Sequence, residues 1–394
     1  MLRSLFSGIS GLRAHQQMMD VTGNNIANVN TAGFKTSQTT FQDTLSQLVN
    51  AAGAPQGTSG GTNPAQVGLG VRLGGISTNF SQGAAQTTGR STDLMIQGDG
   101  FFQVRAGNEQ LYTRAGSFSF DSVGNLVTNT GAVVRGWMRD EATGLIDTNA
   151  GLEDVKLPLG AMMGARATDG VTLNGNLPAD TTSTTPITVS IPAYDIQGNQ
   201  TTVSAQFTKV DPLNWTVTVT ANGATDTARA IAFSADGKTA TPGSLTFNGV
   251  TVDLSGVTSY AGDKSVTATS QTGYPAGSLS SYSISPDGTL VGVFSNGMKQ
   301  SLGQIALANF TNAPGLEKVG DSMYRSTVNS GTPTLGSPGS AGLGSLQGGA
   351  LEMSNVDLAQ EFTNLVIAQR GFQANSRIIT TSDEILQELV NLKR

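Results

Sequence analysis

Both ends of the chain carry large apolar residues at intervals of seven, and this spacing constrains the fold more than any other feature. The repeat consists of Leu5, Leu12, Met19 and Ile26 at the amino end, with Ile9 interleaved, and of Leu351, Leu358, Leu365, Phe372, Ile379 and Leu386 at the carboxyl end. A sustained heptad repeat predicts α-helices with a coiled-coil-like seam. The second helix is predicted over residues 355–392, a length of about 57 Å at 1.5 Å per residue, which no compact domain of this chain could enclose.

The residues ahead of this second helix predict where it begins. Ser354 and Asp357 have the spacing of a capping box, in which a Ser side chain caps the helix and an acidic side chain three residues later bonds back to it. Asp357 stands where Glu is usual. We therefore expect the helix to begin directly after Ser354.

The two ends carry more apolar surface than one seam can cover. Further apolar residues flank the repeats: Phe6, Met18 and Val21 in the first helix, and Phe362, Val366, Ile367, Ile378, Ile385 and Val390 in the second. Two helices that pair only with each other leave much of this surface in water, and such patches usually mark interaction sites. An ordinary two-helix hairpin is the alternative. We favour burial against neighbouring copies, through an assembly interface made of Leu5, Ile9, Leu12, Met19, Ile26, Leu358, Phe362, Leu365, Phe372, Ile379 and Leu386.

Between the predicted helices the pattern is that of β-strands. Short alternating apolar runs recur about every ten residues, as in sandwiches and barrels, and pairs such as Asn248-Gly249 and Asp287-Gly288 predict hairpin turns. The Gly-, Pro- and Ser-rich residues 51–66 predict a linker. The predicted fold class is mixed and mainly β: an inner and an inserted outer all-β domain, with long terminal α-helices that form a coiled-coil-like domain.

A shift in composition divides the β region. Residues 171–280 contain no Glu and only four basic residues, but many Thr, Ser and Ala. This shift predicts an inserted outer β domain. The predicted division of the chain is a helical assembly domain of residues 1–30 and 355–394, a linker or extended connecting region of residues 31–75, an inner β domain of residues 76–147 and 283–354, and the outer β domain of residues 148–282.

Composition excludes several classes of function. The chain has no Cys and one His, which excludes disulfides, thiolate catalysis and Cys-based zinc or iron–sulfur sites. Only 13% of the residues are charged and the 22 Lys and Arg are scattered, which disfavours nucleic-acid binding. No apolar run approaches the ~18 residues that a membrane-spanning helix needs. We therefore expect neither a nucleic-acid partner nor membrane insertion.

The sequence also predicts no cofactor, no metal site and no catalytic residues. Gly68, Gly70 and Gly74 miss the dinucleotide-binding spacing by one residue, and the Gly237-Lys238-Thr239 segment lacks the first glycine of a phosphate-binding loop. His15 lies within the predicted first helix, a poor position for a general base. A glycosidase is the enzyme alternative, but paired carboxylates are required for it and Glu is missing from the central region. We expect a non-enzymatic protein.

Motifs at both ends and inside the chain resemble those of the bacterial flagellar axial family of rod, hook and hook-associated proteins. The signature positions are Asn24, Asn25, Asn28, Gly33, Phe34, Lys35, Asn355, Asp357, Gln369 and Arg370. Residues 92–102 (TDLMIQGDGFF) and 112–116 (YTRAG) are also typical of the family. Residues 193–199 (AYDIQGN) and 304–310 (QIALANF) are similar to the outer and inner domains of its hook members.

The resemblance implies a structural role. Hook members of this family polymerise through terminal helices into a curved, flexible tube, the universal joint that transmits motor torque to the filament. It further implies export through the flagellar type III apparatus without a cleaved signal peptide and an extracellular location in the hook and basal body. The implied partners are further copies of the chain, the flagellar rod, the hook cap and the hook–filament junction proteins. The alternatives are a distal rod or other axial component and, more remotely, a surface β-protein or glycan-binding module with a helical stalk.

Overall fold

The computed structural model describes residues 2–55, 57, 60–140, 142–158, 160, 162–180, 185–221, 223–340 and 342–391. Two long helices bracket a chain of β-strands, α1 over Leu2–Ala27 and α2 over Leu358–Asn391. The mainly β fold class with terminal helices is confirmed. Residues 1 and 392–394, at the outer ends of the predicted helical domain, lie outside the described residues.

The strands are numbered in chain order. The first group is β1 (Ser37–Asp43), β2 (Ser46–Asn50), β3 (Ala65–Gly68), β4 (Val71–Thr78), β5 (Ala85–Thr87), β6 (Leu94–Gln97), β7 (Phe101–Ala106), β8 (Glu109–Thr113), β9 (Phe118–Phe120), β10 (Leu126–Thr128), β11 (Val133–Met138) and β12 (Glu153–Asp154). The second group is β13 (Met162–Met163), β14 (Gly170–Asn176), β15 (Ile187–Tyr194), β16 (Gln200–Asp211), β17 (Asn214–Ala221), β18 (Ala224–Thr225), β19 (Arg229–Phe233), β20 (Ala240–Thr241), β21 (Ser244–Phe247), β22 (Val250–Thr258), β23 (Thr267–Gln271) and β24 (Gly277–Ile284). The third group is β25 (Thr289–Phe294), β26 (Lys299–Ile305), β27 (Leu307–Asn309), β28 (Glu317–Gly320), β29 (Met323–Arg325), β30 (Thr334–Gly336), β31 (Ser345–Gly348) and β32 (Ala350–Glu352).

The chain forms two compact units. The first comprises Met1–Leu157, Ser283–Val291 and Ser301–Arg394, and the second comprises Pro158–Tyr282 and Gly292–Gln300. Both helices belong to the first unit. The finer division of that unit into helical, connecting and inner β parts stays a prediction.

The first unit is built on an antiparallel sheet with an aromatic cluster. Strand β7 pairs with β8 and β11, β8 pairs with β29, and β11 pairs with β26. Phe101 and Tyr112 of these strands are buried together with Phe310 and Tyr324. The rings meet edge-on, with centroids of Phe101 and Phe310 5.9 Å apart and those of Tyr112 and Phe310 4.8 Å apart. Edge-to-face packing of this kind stabilises aromatic cores.

The second unit contains two sheets that share one core. One sheet has the order β15-β16-β17-β19-β20 and the other β21-β22-β14-β23. Alternate residues of β17 are buried, including Trp215 and Val217, and they belong to the same core cluster as Val252 and Leu254 of β22. The predicted turn at Asn248-Gly249 joins β21 to β22, and both residues have the positive φ that a two-residue hairpin of this type needs.

Residues 31–75, predicted as a linker or extended region, contain most of a long β-hairpin. Strand β1 pairs with β4 over seven register positions, and β2 pairs with β3 beyond them. The pairing was not predicted because these strands lie largely in water and so lack the alternation of a half-buried strand.

The predicted capping box is wrong in its register. The Asp357 side chain is itself the N-cap: its Oδ1 accepts hydrogen bonds from the backbone N–H groups of Ala359 (2.9 Å) and Gln360 (3.3 Å). The Ser354 hydroxyl accepts a weaker bond of 3.4 Å from the N–H of Val356, ahead of the helix. The helix therefore begins at Leu358, because the acidic residue lies outside its first turn and not within it.

We expect Asp357→Ala to lower the free energy of unfolding by about 1 kcal/mol, the usual cost of a lost N-cap, and to shorten α2 at its start. Ser354→Ala is the matched control and should cost less. Urea unfolding and far-UV circular dichroism of the two variants check this. A larger loss for Ser354→Ala than for Asp357→Ala would restore the capping box that the sequence predicts.

Candidate functional site: the paired terminal helices

The two helices lie side by side in antiparallel directions along a seam of small residues. Gly8 of α1 lies against Asn375 and Ile379 of α2, whereas His15, further along α1, lies against Gly371, earlier in α2. A methyl group on Gly11 would come within 2.8 Å of the Asn375 side chain. The helices therefore approach more closely than larger side chains would permit.

The seam was not predicted. Its buried residues are Gly8, Gly11 and Ala14 of α1 and Ala368 and Ser382 of α2. The spacing of three between Gly8, Gly11 and Ala14 puts them on one helix face, and this was the available signal. The heptad repeat predicted instead that the large residues form the contact, and the structure places them beside the seam.

None of the eleven residues predicted as the assembly interface is fully buried in the single chain. Leu5, Ile9, Leu12, Met19, Ile26, Leu365, Phe372, Ile379 and Leu386 are half-buried, and Leu358 and Phe362 are exposed. Flanking residues are also exposed, including Phe6 (64%), Ile367 (54%) and Val390 (68%). The paired helices thus keep an apolar surface in contact with water, which costs about 25 cal/mol per Å².

The single His of the chain, His15, lies at the contact between the two helices. His15 packs between Gly371 and the ring of Phe41, whose centroid is 6.1 Å away, as an interhelical residue does. Among the described residues no group of three or more His, Asp or Glu could hold a metal ion. In that same part of the chain neither helix is long and apolar enough to cross a membrane.

The signature residue Lys35 belongs to a buried ion cluster at the junction between the helices and the β-sheet. Its Nζ donates to Oε1 of Glu352 (2.6 Å) and to the carbonyl of Ser81 (2.7 Å). Arg114 Nη1 lies 3.5 Å from Oε2 of the same carboxylate, and all three charged side chains are buried. Burial lowers the pKa of Lys35, and the hydrogen bond and charge of Glu352 oppose that shift. The cluster joins the segment after α1 to the strand before α2.

Signature asparagines make backbone-like hydrogen bonds around this cluster. Asn25 donates through Nδ2 to the carbonyl of Ser37 (2.8 Å) and accepts from the Ser37 N–H (3.0 Å). Asn355 accepts from the N–H of Thr36 (2.8 Å) and donates to the carbonyl of Asn79 (2.9 Å). The ends of both helices are thereby attached to the hairpin and to the strands that follow it.

The other signature residues occupy four settings. Asn28 donates to the carbonyl and the side chain of Asn24, both at 2.9 Å, and so closes the end of α1. Gly33 has φ +71°, and any side chain there would collide with the backbone of residues 114 and 115. Phe34 lies under Lys318 Nζ at 5.0 Å. Gln369 and Arg370 are exposed on α2. The sequence did not predict that Arg114, within the motif of residues 112–116, and Glu352 complete the ion cluster.

We expect Lys35→Met to destabilise the protein by about 3–5 kcal/mol, because it removes the closest ion partner from a buried carboxylate. Lys156→Met, at an exposed position of the same unit, is the control and should change stability by less than about 0.5 kcal/mol. The double variant Lys35→Met with Glu352→Leu should recover part of the loss. If Lys35→Met were as stable as Lys156→Met in urea unfolding, the proposed stabilising role of the ion cluster would be contradicted.

Three family models match separate parts of the chain. Residues 5–35 match the flagella basal body rod protein family, residues 95–240 match the D1 domain of flagellar hook protein FlgE/F/G, and residues 347–392 match the C-terminal region of flagellar basal body rod FlgEFG protein. The first and last of these include the helices and their junction.

Relatives that align over their full length are also flagellar hook and rod proteins. The chain is 41% identical to flagellar hook protein FlgE of Borreliella burgdorferi and 36% identical to flagellar basal-body rod protein FlgG of Bacillus subtilis, with 100% of both chains covered in each comparison. A solved flagellar hook protein of Helicobacter pylori shares the fold at a TM-score of 0.54 and 15% identity, covering 68% of this chain and 100% of that one. The chain belongs to the flagellar hook protein family, whose members are structural subunits of the flagellar hook.

Proposed function

We propose that this protein polymerises through its terminal helices into the curved, flexible tube of the hook, which transmits motor torque to the filament. The proposal rests on one observation: the paired helices leave an apolar surface exposed to water. The eleven heptad residues predicted above, half-buried or exposed in the single chain, are its proposed contacts. Each subunit that joins the tube removes this surface from water.

The partners follow from the same proposal. Further copies of the chain form the tube, the rod and the hook–filament junction proteins meet its two ends, and a cap protein covers it during growth. Export through the type III apparatus requires helices that are unfolded during passage and fold afterwards. Isolated helices are only marginally stable in water, and a seam of glycines adds to this, because Gly disfavours a helix by about 1 kcal/mol relative to Ala. An extracellular location without a cleaved signal peptide is part of the proposal.

The flexibility of the tube is assigned to the second unit. Thr and Ser are the most frequent of its exposed residues, and the chain from residue 171 to residue 280 has four basic residues, seven Asp and no Glu. Contacts between polar, nearly uncharged surfaces are weak and wet. Neighbouring subunits can therefore exchange such contacts at little cost as the tube bends.

A distal rod subunit is the second candidate, favoured by the full-length similarity to the Bacillus subtilis rod protein. A rod is straight and rigid, whereas a hook is curved. The shape of the polymer therefore distinguishes the two functions. A glycan-binding stalk protein is the remote alternative, and glycan binding by residues 80–345 alone would support it.

We expect Phe362→Asp and Leu365→Asp to block polymerisation while the β-strands stay folded. Phe362 is 52% exposed in the single chain, so the monomer tolerates the charge, but burying it in a polymer costs several kcal/mol. Since 1.4 kcal/mol corresponds to a factor of ten, the critical concentration should rise by about 100-fold or more.

Thr363→Asp is the matched control, since Thr363 is exposed on the same turn of α2. Sedimentation of assembled polymer in kosmotropic salt measures the critical concentration of each variant. Normal assembly of Phe362→Asp and Leu365→Asp would show that this part of α2 does not form the assembly interface. Circular dichroism of the soluble fractions separates failed assembly from failed folding.

A further inference from the structure

An Asn that precedes Gly can lose its side-chain amide without an enzyme. The backbone nitrogen of the glycine attacks Cγ of the Asn, a C–N bond forms, and ammonia leaves with the proton of that nitrogen. Water then opens the five-membered imide to aspartate or isoaspartate. Glycine favours the attack because it has no Cβ to obstruct it. Three such pairs lie wholly within the described residues, at 174–175, 248–249 and 296–297.

The Asn248–Gly249 pair forms the tip of the hairpin between β21 and β22. Both residues are exposed and lie outside the strand pairing, which ends with Phe247 opposite Val250. In the described part of the chain the Gly249 N–H donates to no backbone carbonyl, and no other residue crowds Gly249. The Asn248 amide makes one long hydrogen bond, from Nδ2 to the carbonyl of Ala221 at 3.4 Å. The attacking nitrogen is therefore accessible, and the attacked amide is weakly held.

The Asn296–Gly297 pair also lies in a turn, but both reacting groups are engaged there. The Gly297 N–H donates to the carbonyl of Phe294 (2.9 Å). Asn296 donates through Nδ2 to the carbonyl of Pro275 (2.9 Å) and accepts through Oδ1 from the N–H of Met298 (3.0 Å). The attack would break all three hydrogen bonds, so this turn protects its Asn.

The Asn174–Gly175 pair lies within strand β14, between β22 and β23 of one sheet. Gly175 is opposite Val257 in the pairing with β22. The Asn174 side chain covers Gly256 so closely that a methyl group on Gly256 would overlap it. Closing the imide ring would require the backbone to leave the strand pairing, so the sheet protects this Asn.

We infer that Asn248 is a site of spontaneous deamidation in the folded protein, and that the fold protects Asn174 and Asn296 from the same reaction. The product adds a carboxylate to a part of the chain with little charge. Residues 171–280 have a formal charge of −3, four basic residues against seven Asp, which becomes −4. The reaction uses only water and takes place in the single chain, so the inference does not rest on the proposed polymer.

Peptide mapping by mass spectrometry tests the inference on the full chain, incubated in mildly alkaline buffer. Trypsin places Asn248 and Asn296 in different peptides, residues 239–264 and 265–299, and neither peptide contains a second Asn. The same incubation in guanidinium chloride is the reference, because the unfolded chain gives both pairs equal access. It continues until half of Asn296 in the unfolded sample has the mass of the acid.

We expect Asn248 to react at least about tenfold faster than Asn296 in the folded sample. A factor of ten corresponds to about 1.4 kcal/mol, which is within the net contribution of one or two hydrogen bonds. In the unfolded sample the two rates should be similar, because the hydrogen bonds that protect Asn296 are then lost.

Asn248→Gly is the matched control, because a Gly-Gly pair suits the same two-residue turn and offers no amide. It should abolish the product in residues 239–264 and leave the rate at Asn296 unchanged. Equal rates at Asn248 and Asn296 in the folded sample, or an unreacted Asn248 there, would overturn the inference. None of these results requires assembly, so failure of the inference leaves the proposed function untouched.

Discussion

Close contact between the terminal helices, which only small residues allow, is the interaction on which the rest of the structure depends. Gly8, Gly11 and Ala14 bring α1 against α2, and Gly371 receives the ring of His15. Because the seam consists of small side chains, the large heptad residues lie beside it and keep contact with water. A single chain is therefore folded and yet retains an apolar surface. In the proposed polymer that surface is covered.

The junction connects this helical surface to the β-structure. The buried cluster of Lys35, Arg114 and Glu352 joins the segment after α1 to the strand before α2. Buried ion pairs contribute little net stability, but breaking them is costly, so they favour one geometry over its alternatives. The hydrogen bonds of Asn25 and Asn355 act at the same place. The proposed transmission of torque is consistent with a junction of this kind, because it joins the helices to the strands.

The sequence predicted the helices and the strands of the core, because their apolar residues follow a clear period. The start of α2 could not be predicted from the sequence, because Asp357 fits either the N-cap or the N3 position of a capping box. The sequence also missed the pairing of β2 with β3, whose residues are exposed on both faces and show no alternation. The partners of Lys35 were not predictable, because Glu352 is 317 residues away along the chain. The motif marked Lys35, but only the fold shows which charges it meets.

Electron microscopy of the concentrated protein in kosmotropic salt, beside a truncated chain of residues 31–354, tests whether the terminal helices drive assembly. Exclusion of such salts from protein surfaces strengthens apolar association. Helix-driven assembly predicts curved hollow tubes from the full chain and dispersed particles from the truncated one. Tubes of equal order from both samples would contradict it, because assembly would then proceed without the helices.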